Sequence, residues 1–135
     1  MAQAGYSGTP LAKKLGLKPG EPLWASGMPA SVKKVLDKEA GPRYLARPTK
    51  LLAAAHIFHP SAAKLEAELE SLRTELAPDG MVWVSWPKKA AKVETDITED
   101  TIRKVALPMG YVDVKVCAVD ETWSGLKLVI RKALR

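Results

Sequence analysis

The stretch from Leu76 to Lys89, LAPDGMVWVSWPKK, constrains the fold of this chain more than any other. It reads as the end of a helix, a Pro-Asp-Gly turn, a strand and a basic loop. Met81 to Trp86 is almost continuously apolar, the pattern of a central parallel strand covered on both faces. Helix, turn and buried strand make half of a βαβ unit. The loop after the strand falls where open α/β sheets place their ligand sites.

The rest of the chain supplies elements that fit such a sheet. Met1 to Gly20 is punctuated by Gly and Pro and reads as an extended N-terminal arm, with Tyr6 to Pro10 extended or turning. Within it, Leu11 to Leu15 can form one short helical turn closed by Gly16. Residues 21–135 read as a single α/β domain. Leu23 to Ser26 is a first strand, and Ser31 caps a helix to Lys38 that Gly41-Pro42 stops. Arg43 to Pro48 reads as a loop. The run Leu51 to Phe58 ends at His59-Pro60, and its length and proline stop favour a buried strand over a helix. Ser61 then caps a long helix to about Ala77. Its core stripe is Leu65, Leu69, Leu72 and Leu76, with Glu66, Glu68, Glu70, Arg73 and Glu75 facing water. Asp96 and Glu99 fit a capping box opening a helix from Ile97 to about Leu107. Two alternating runs, Val112 to Val119 and Leu126 to Arg131, form a closing antiparallel hairpin with a polar loop. Asp113, Lys115, Cys117 and Val119 share one face of the first run.

Composition excludes several classes. At 135 residues one domain is expected, and a chain of this size buries roughly 70% of its unfolded surface. No apolar run approaches the roughly 20 residues of a membrane-spanning helix. The first residues carry no apolar core, so no secretory signal is expected. Cys117 is the only cysteine, which leaves no internal disulfide and fits a reducing cytoplasm. The net charge of +6 favours anionic partners, but the lysines are spread along the chain.

The order β-α-β-α-β-α-β-β resembles the C-terminal half of a Rossmann-like methyltransferase. The residues that carry this are the Leu76-Ala77-Pro78-Asp79-Gly80 turn before the central strand, the helix that follows, and the closing hairpin. The resemblance implies a mostly parallel sheet of order 1-2-3-5-4, its last strand antiparallel, with flanking helices. It also implies a glycine-rich cofactor loop after the first strand. Here the matching stretch is Ala25-Ser26-Gly27-Met28-Pro29, with one glycine and a proline. No acidic residue ends a second strand to hold a ribose, since that strand and its helix are not evident. No S-adenosylmethionine site is therefore expected, and no other cofactor. The chain is also similar to a small bacterial family known only as a domain of unknown function, number three thousand and fifty-two in its series. Tyr6 to Leu11 with Lys14-Leu15-Gly16, Val82 to Lys89, Asp96 to Ile102, Val116 to Asp120 and Trp123 to Lys127 carry that likeness. It implies this fold and a bacterial cytoplasmic origin, and it implies no activity.

Candidate chemistry gathers at the C-terminal edge of the sheet. Lys88, Lys89 and Lys92 follow the central strand and suit a phosphate, a carboxylate or an acidic protein; a solvated loop is the plain alternative. Trp86 and Trp123 could line one pocket with Ser85, each indole N–H needing a partner, whereas Trp83 sits mid-strand and reads as core. His56 and His59, three apart on a strand, point to opposite faces, a poor metal geometry. Cys117 reads as a half-buried inert thiol, and Asp120-Glu121 as a polar hairpin loop. No catalytic or metal-ligating set is expected. The leading expectation is a non-enzymatic binding module that holds a small anion or an acidic protein with Ser85, Trp86, Lys88, Lys89, His59 and Trp123. Two alternatives stand: a degenerate methyltransferase-like enzyme acting on an anionic metabolite, with His59 or Asp120 as acid/base, and a basic nucleic-acid-associated protein, disfavoured by the lack of a binding motif. The oligomeric state is not legible.

Overall fold

The computed structural model describes residues 9–135; the reading of the arm before Thr9 lies outside the described residues. Strands β1 (Pro22–Ser26), β2 (Arg43–Tyr44), β3 (Leu52–Phe58), β4 (Leu76–Pro87), β5 (Tyr111–Ala118) and β6 (Trp123–Ile130) form one sheet in the order β2-β1-β3-β4-β6-β5. Strands β1 to β4 are parallel, and β6 runs antiparallel between β4 and β5. The expected order 1-2-3-5-4 corresponds to β1-β3-β4-β6-β5, with the antiparallel last strand in place. The difference is β2, a two-residue strand outside β1 in the segment read as a loop.

Among the described residues four α-helices cover the sheet: α1 (Leu11–Leu15), α2 (Ala30–Glu39), α3 (Ala62–Glu75) and α4 (Glu99–Ala106). One core cluster packs Leu65, Leu69 and Leu72 of α3 and Ile102 and Ala106 of α4 on Ala55, Ile57, Val82, Val84 and Trp86. The other packs Leu11 and Leu15 of α1 and Val32 and Leu36 of α2 on Phe58 and Trp83. Alternation along β3 and β4 thus sends successive side chains to opposite helix layers. Residues 11–15, within the segment expected as an arm, are docked in the domain: Leu11, Ala12 and Leu15 are buried, and the buried Trp83 indole donates to the Leu15 carbonyl at 2.8 Å.

Several local readings are corrected. Ser31 lies inside α2, whose N-cap is Pro29. Thr98, with Thr101, forms the capping box of α4, while Asp96 accepts from the Ala62 amide at 2.7 Å and ties the segment before α4 to the start of α3. Val114 is the extra residue of a register shift in β5. That shift turns Asp113 to the α3–α4 side, where it accepts from Arg103 of α4 at 3.0 Å, and leaves Lys115 and Cys117 on the other face. Arg73 donates to the Met109 carbonyl at 2.9 Å instead of facing water. No helix among the described residues is long and apolar enough to cross a membrane.

Leu76 to Gly80, read as a helix end and a Pro-Asp-Gly turn, is instead the first part of β4, and its glycine has a steric reason. Leu52 pairs with Leu76, the register then shifts, and Ala54 faces Met81. A Cβ at Gly80 would stand 2.6 Å from the Leu52 carbonyl oxygen and 2.9 Å from the Leu76 side chain. The substitution Gly80→Ala should therefore cost about 1–3 kcal/mol of stability, read as a lower urea midpoint with an unchanged slope.

Candidate active site

The C-terminal edge of β3 carries an organised polar group. His59 leaves the strand with its amide bonded to the Ser85 carbonyl at 3.0 Å, which fixes it beside β4. Its Nε2 lies 2.6 Å from Glu68 Oε1 on α3. The other oxygen, Glu68 Oε2, accepts from the Trp24 indole of β1 at 3.0 Å. Both side chains are largely covered, at 13% and 17% exposure. Burial pushes the Glu68 carboxyl up, but hydrogen bonds from His59, Trp24 and Ser26 outweigh it and hold the group below its ordinary value. Glu68 is therefore an ionised carboxylate. It fixes the His59 proton on Nε2 and leaves Nδ1 as the basic nitrogen. The same edge is strapped by the segment before α4: the Thr95 hydroxyl and the Asp96 amide both donate to the Pro60 carbonyl, at 2.7 and 3.3 Å.

The other histidine meets a different environment. His56 is 1% exposed on the α1–α2 face, with Nε2 2.7 Å from the Ser85 hydroxyl and Nδ1 without a partner. Its ring stacks on Phe58 at 4.3 Å, and Phe58 meets Trp123 edge-on at 5.2 Å. Burial lowers the His56 pKa to about 3, so the ring is neutral.

The sheet divides the six residues singled out from the sequence. Trp86 is core on the α3–α4 face, the face on which His59 meets Glu68, whereas Ser85 and Trp123 lie on the α1–α2 face. Trp86 and Trp123 thus stand on opposite faces and do not line one pocket. Lys88 and Lys89 enter a 3₁₀ turn at the end of β4, with the Lys88 amide bonded to the Thr122 carbonyl at 2.7 Å. Asp120 Oδ1 accepts from the amides of Thr122 and Trp123, both at 2.8 Å, so its carboxylate is engaged in closing the hairpin. The residue missed was Glu68, assigned to water. The signal was present, since position 68 lies three after Leu65 and four before Leu72, on the same side of the helix.

The loop after β1 does not fit S-adenosylmethionine as a glycine cradle would. Gly27 has φ +66°, and a Cβ there would lie 2.8 Å from the Phe58 carbonyl oxygen. The space its missing side chain leaves is filled by β3 and not by a ligand. Strand β2 ends at Tyr44, with no carboxylate for a ribose.

Comparison with known proteins finds no matching family model and no match among curated proteins. Solved structures do match. A S-adenosylmethionine-dependent methyltransferase from Aquifex aeolicus is 13% identical with TM-score 0.64, over 89% of this chain and 87% of that one. A TehB-like S-adenosylmethionine-dependent methyltransferase from Corynebacterium glutamicum is 9% identical with TM-score 0.54, over 95% and 91%. A magnesium protoporphyrin IX methyltransferase from Synechocystis, with S-adenosylmethionine bound, is 13% identical with TM-score 0.55, over 89% and 74%. The fold is that of Rossmann-like methyltransferases. These matches overturn the expectation of a non-enzymatic binding module, since nearly the whole chain superposes on methyltransferase structures.

His56 gives a pH test. The folded pKa of His56 is depressed from 6.5 to about 3, so below pH 6.5 the unfolded chain takes up a proton that the folded chain refuses. The contribution of His56 to stability is complete above pH 6.5 and falls by about 1.4 kcal/mol per pH unit towards pH 3. Urea titrations from pH 6.5 to 4.5, above the range where lowered carboxylates contribute, should show this slope, and His56→Gln should flatten it.

Proposed function

We propose that this chain is an enzyme of the methyltransferase-like class that acts on an anionic metabolite at the C-terminal edge of its sheet. The observation that supports this most is the His59–Glu68 bond at the end of β3, 2.6 Å long and largely covered. A histidine whose far nitrogen is held by an ionised carboxylate is the general base of many active sites. His59 Nδ1 accepts the proton from the reacting group. Glu68 stabilises the imidazolium that forms and keeps the ring in place through its second bond, to Trp24. Lys88 and Lys89, at the end of the neighbouring strand, draw the anion by charge. The loop after β1 supplies no cradle, so no step runs through S-adenosylmethionine. We also assign the chain to the domain-of-unknown-function family its motifs resemble, and with it to a bacterial cytoplasm; the single cysteine supports that setting.

The test is thermal melting against a panel of anionic metabolites, with S-adenosylmethionine included, followed by mass spectrometry of any ligand that shifts the midpoint. A ligand at about a hundred times its dissociation constant adds about 2.7 kcal/mol. Joint Lys88→Ala and Lys89→Ala substitution should weaken that shift. His59→Asn should keep the shift and lose product formation by about 100-fold or more. A panel with no shift, or turnover that survives His59→Asn, defeats the reading. A shift from S-adenosylmethionine would overturn the conclusion drawn from Gly27.

The carboxylate also has a structural consequence. Glu68→Ala leaves the Trp24 indole N–H and His59 Nε2 without their partner, and the loss should be about 1–3 kcal/mol by chemical denaturation.

A further inference from the structure

At the other end of the strands from His59 the sheet carries a cavity that the proposed chemistry does not use. It holds about 300 Å³ on the α1–α2 face. Its floor is the sheet itself. Ala54 pairs with Met81, and Met81 with Val129, so β3, β4 and β6 present three apolar side chains in a row. Met81 and Val129 keep part of their surface uncovered.

Four charged side chains line the same cavity: Lys18, Glu21, Asp79 and Lys127. They come from separate elements. Lys18 and Glu21 lie on an ordered turn between α1 and β1. There the Glu21 amide donates to the Lys18 carbonyl at 3.3 Å, and the Glu21 carbonyl accepts from the Arg43 amide at 2.9 Å. Asp79 lies near the start of β4 and Lys127 within β6. Two positive and two negative groups thus share one volume. Among the described residues no ion pair joins any of them; the pairs lie on Lys33, Lys50, His59 and Arg103.

Opposite charges around a cavity that do not pair with each other select a ligand by its charge pattern. A simple anion would meet two carboxylates, and a simple cation two ammonium groups, so half of the contacts would be repulsive. A ligand with one charge of each sign satisfies both sets. The apolar floor asks in addition for hydrocarbon. The volume lies at the lower end of small-molecule sites and suits a compact ligand.

We propose that this cavity binds a zwitterionic α-amino acid with an apolar side chain. Lys18 and Lys127 take its carboxylate, Glu21 and Asp79 its ammonium group, and the sheet its hydrocarbon. The site is separate from the edge at His59. Ala54 precedes His59 along β3 by about 16 Å, at about 3.3 Å per residue, and Glu68 stands on the other face of the sheet.

The full-length protein, isotope-labelled for amide NMR, is titrated with L-leucine, L-methionine and L-valine. At least one should shift the Ala54, Met81 and Val129 amides to saturation. Isocaproate is leucine without its amino group, and isoamylamine is leucine without its carboxylate. Each should bind about tenfold more weakly than leucine or worse, as expected for a lost hydrogen bond between charged groups. Joint Glu21→Gln and Asp79→Asn substitution, at two exposed positions, should weaken leucine binding about tenfold and leave isocaproate binding no weaker than before. Joint Lys88→Ala and Lys89→Ala substitution should leave the titration unchanged, which separates this site from the one proposed at the edge. The proposal is overturned if none of the three amino acids gives a saturable shift, or if the shifts fall only on other residues. Equal affinity for isocaproate or isoamylamine also overturns it, as does undiminished leucine binding in the Glu21/Asp79 variant. If that variant fails to fold, Asp79→Asn alone decides: weaker binding supports the site, and unchanged binding counts against it.

Discussion

Strand β4 is hydrogen-bonded on both sides and buried on both faces, and the rest of the molecule depends on it. Its even residues Val82, Val84 and Trp86 join the α3–α4 core, while Trp83 joins the α1–α2 core and Ser85 bonds His56 on the same side. A slip of one residue would exchange the two sets. Two contacts oppose such a slip. Gly80 lets the start of β4 approach the Leu52 carbonyl more closely than any side chain allows, and the Trp83 indole is committed to the Leu15 carbonyl. Through the second contact a five-residue helix, too short to be stable alone, becomes part of the fold.

The same alternation decides the electrostatics of the two histidines. His56 and His59 leave one strand three residues apart and end in opposite layers. On the α1–α2 face the surroundings of His56 are a hydroxyl and aromatic rings. Desolvation acts with nothing against it, and the ring is neutral. On the α3–α4 face, Glu68 brings a carboxylate. That carboxylate is itself largely covered, and burial acting alone would favour its protonated form. Donors from β1 and from His59 reverse the outcome. The charge of Glu68 is thus a property of the assembled sheet. It requires β1 and β3 to be neighbours, with Trp24 and Ala55 in register.

Much of this architecture was legible in the sequence because it follows from local patterns. The proline stop after Phe58 and the Ser61 cap each correspond to a real boundary, and the apolar run Met81 to Trp86 is the inner part of a strand that begins earlier, at Leu76. What was not legible depends on partners distant in sequence. The two residues of β2 carry no periodicity, and only β1 beside them makes a strand. The bulge at Val114 cannot be seen in an alternating run, because the alternation persists while the face changes. Asp96 has the right spacing for a helix cap, but the Ala62 amide, 34 residues away, takes its carboxylate. Glu68 was hidden by its charge: a glutamate beside a leucine stripe reads as solvent-facing until a buried indole and an imidazole are placed against it. Of the edge residues, Lys88 and Lys89 were located by strand and turn alone, whereas the division of Ser85, Trp86 and Trp123 between two faces needed the register of β4 with β6.

The position of the polar groups also follows from the length of β2. Its ladder with β1 covers only Pro22 and Leu23, three residues short of Ser26, so at about 3.3 Å per residue it stops about 10 Å below the carboxyl end of β1. A side chain at the end of β2 therefore starts well short of that end. The next residue, Gly27, is pressed against the Phe58 carbonyl. Beside β2 the end of β1 is thus shallow, and at Gly27 it is filled. The switch point of the sheet, where doubly wound folds commonly hold a ligand, lies between β1 and β3, and it is differently supplied. Ser26, His59 and Glu68 converge there, the lysines of the β4 turn follow on the next strand, and the strap from Thr95 to Asp96 closes over Pro60. A fold shared with methyltransferases therefore gathers its polar groups in this chain at the end of β3, where His59 meets Glu68, and not in a cradle after β1.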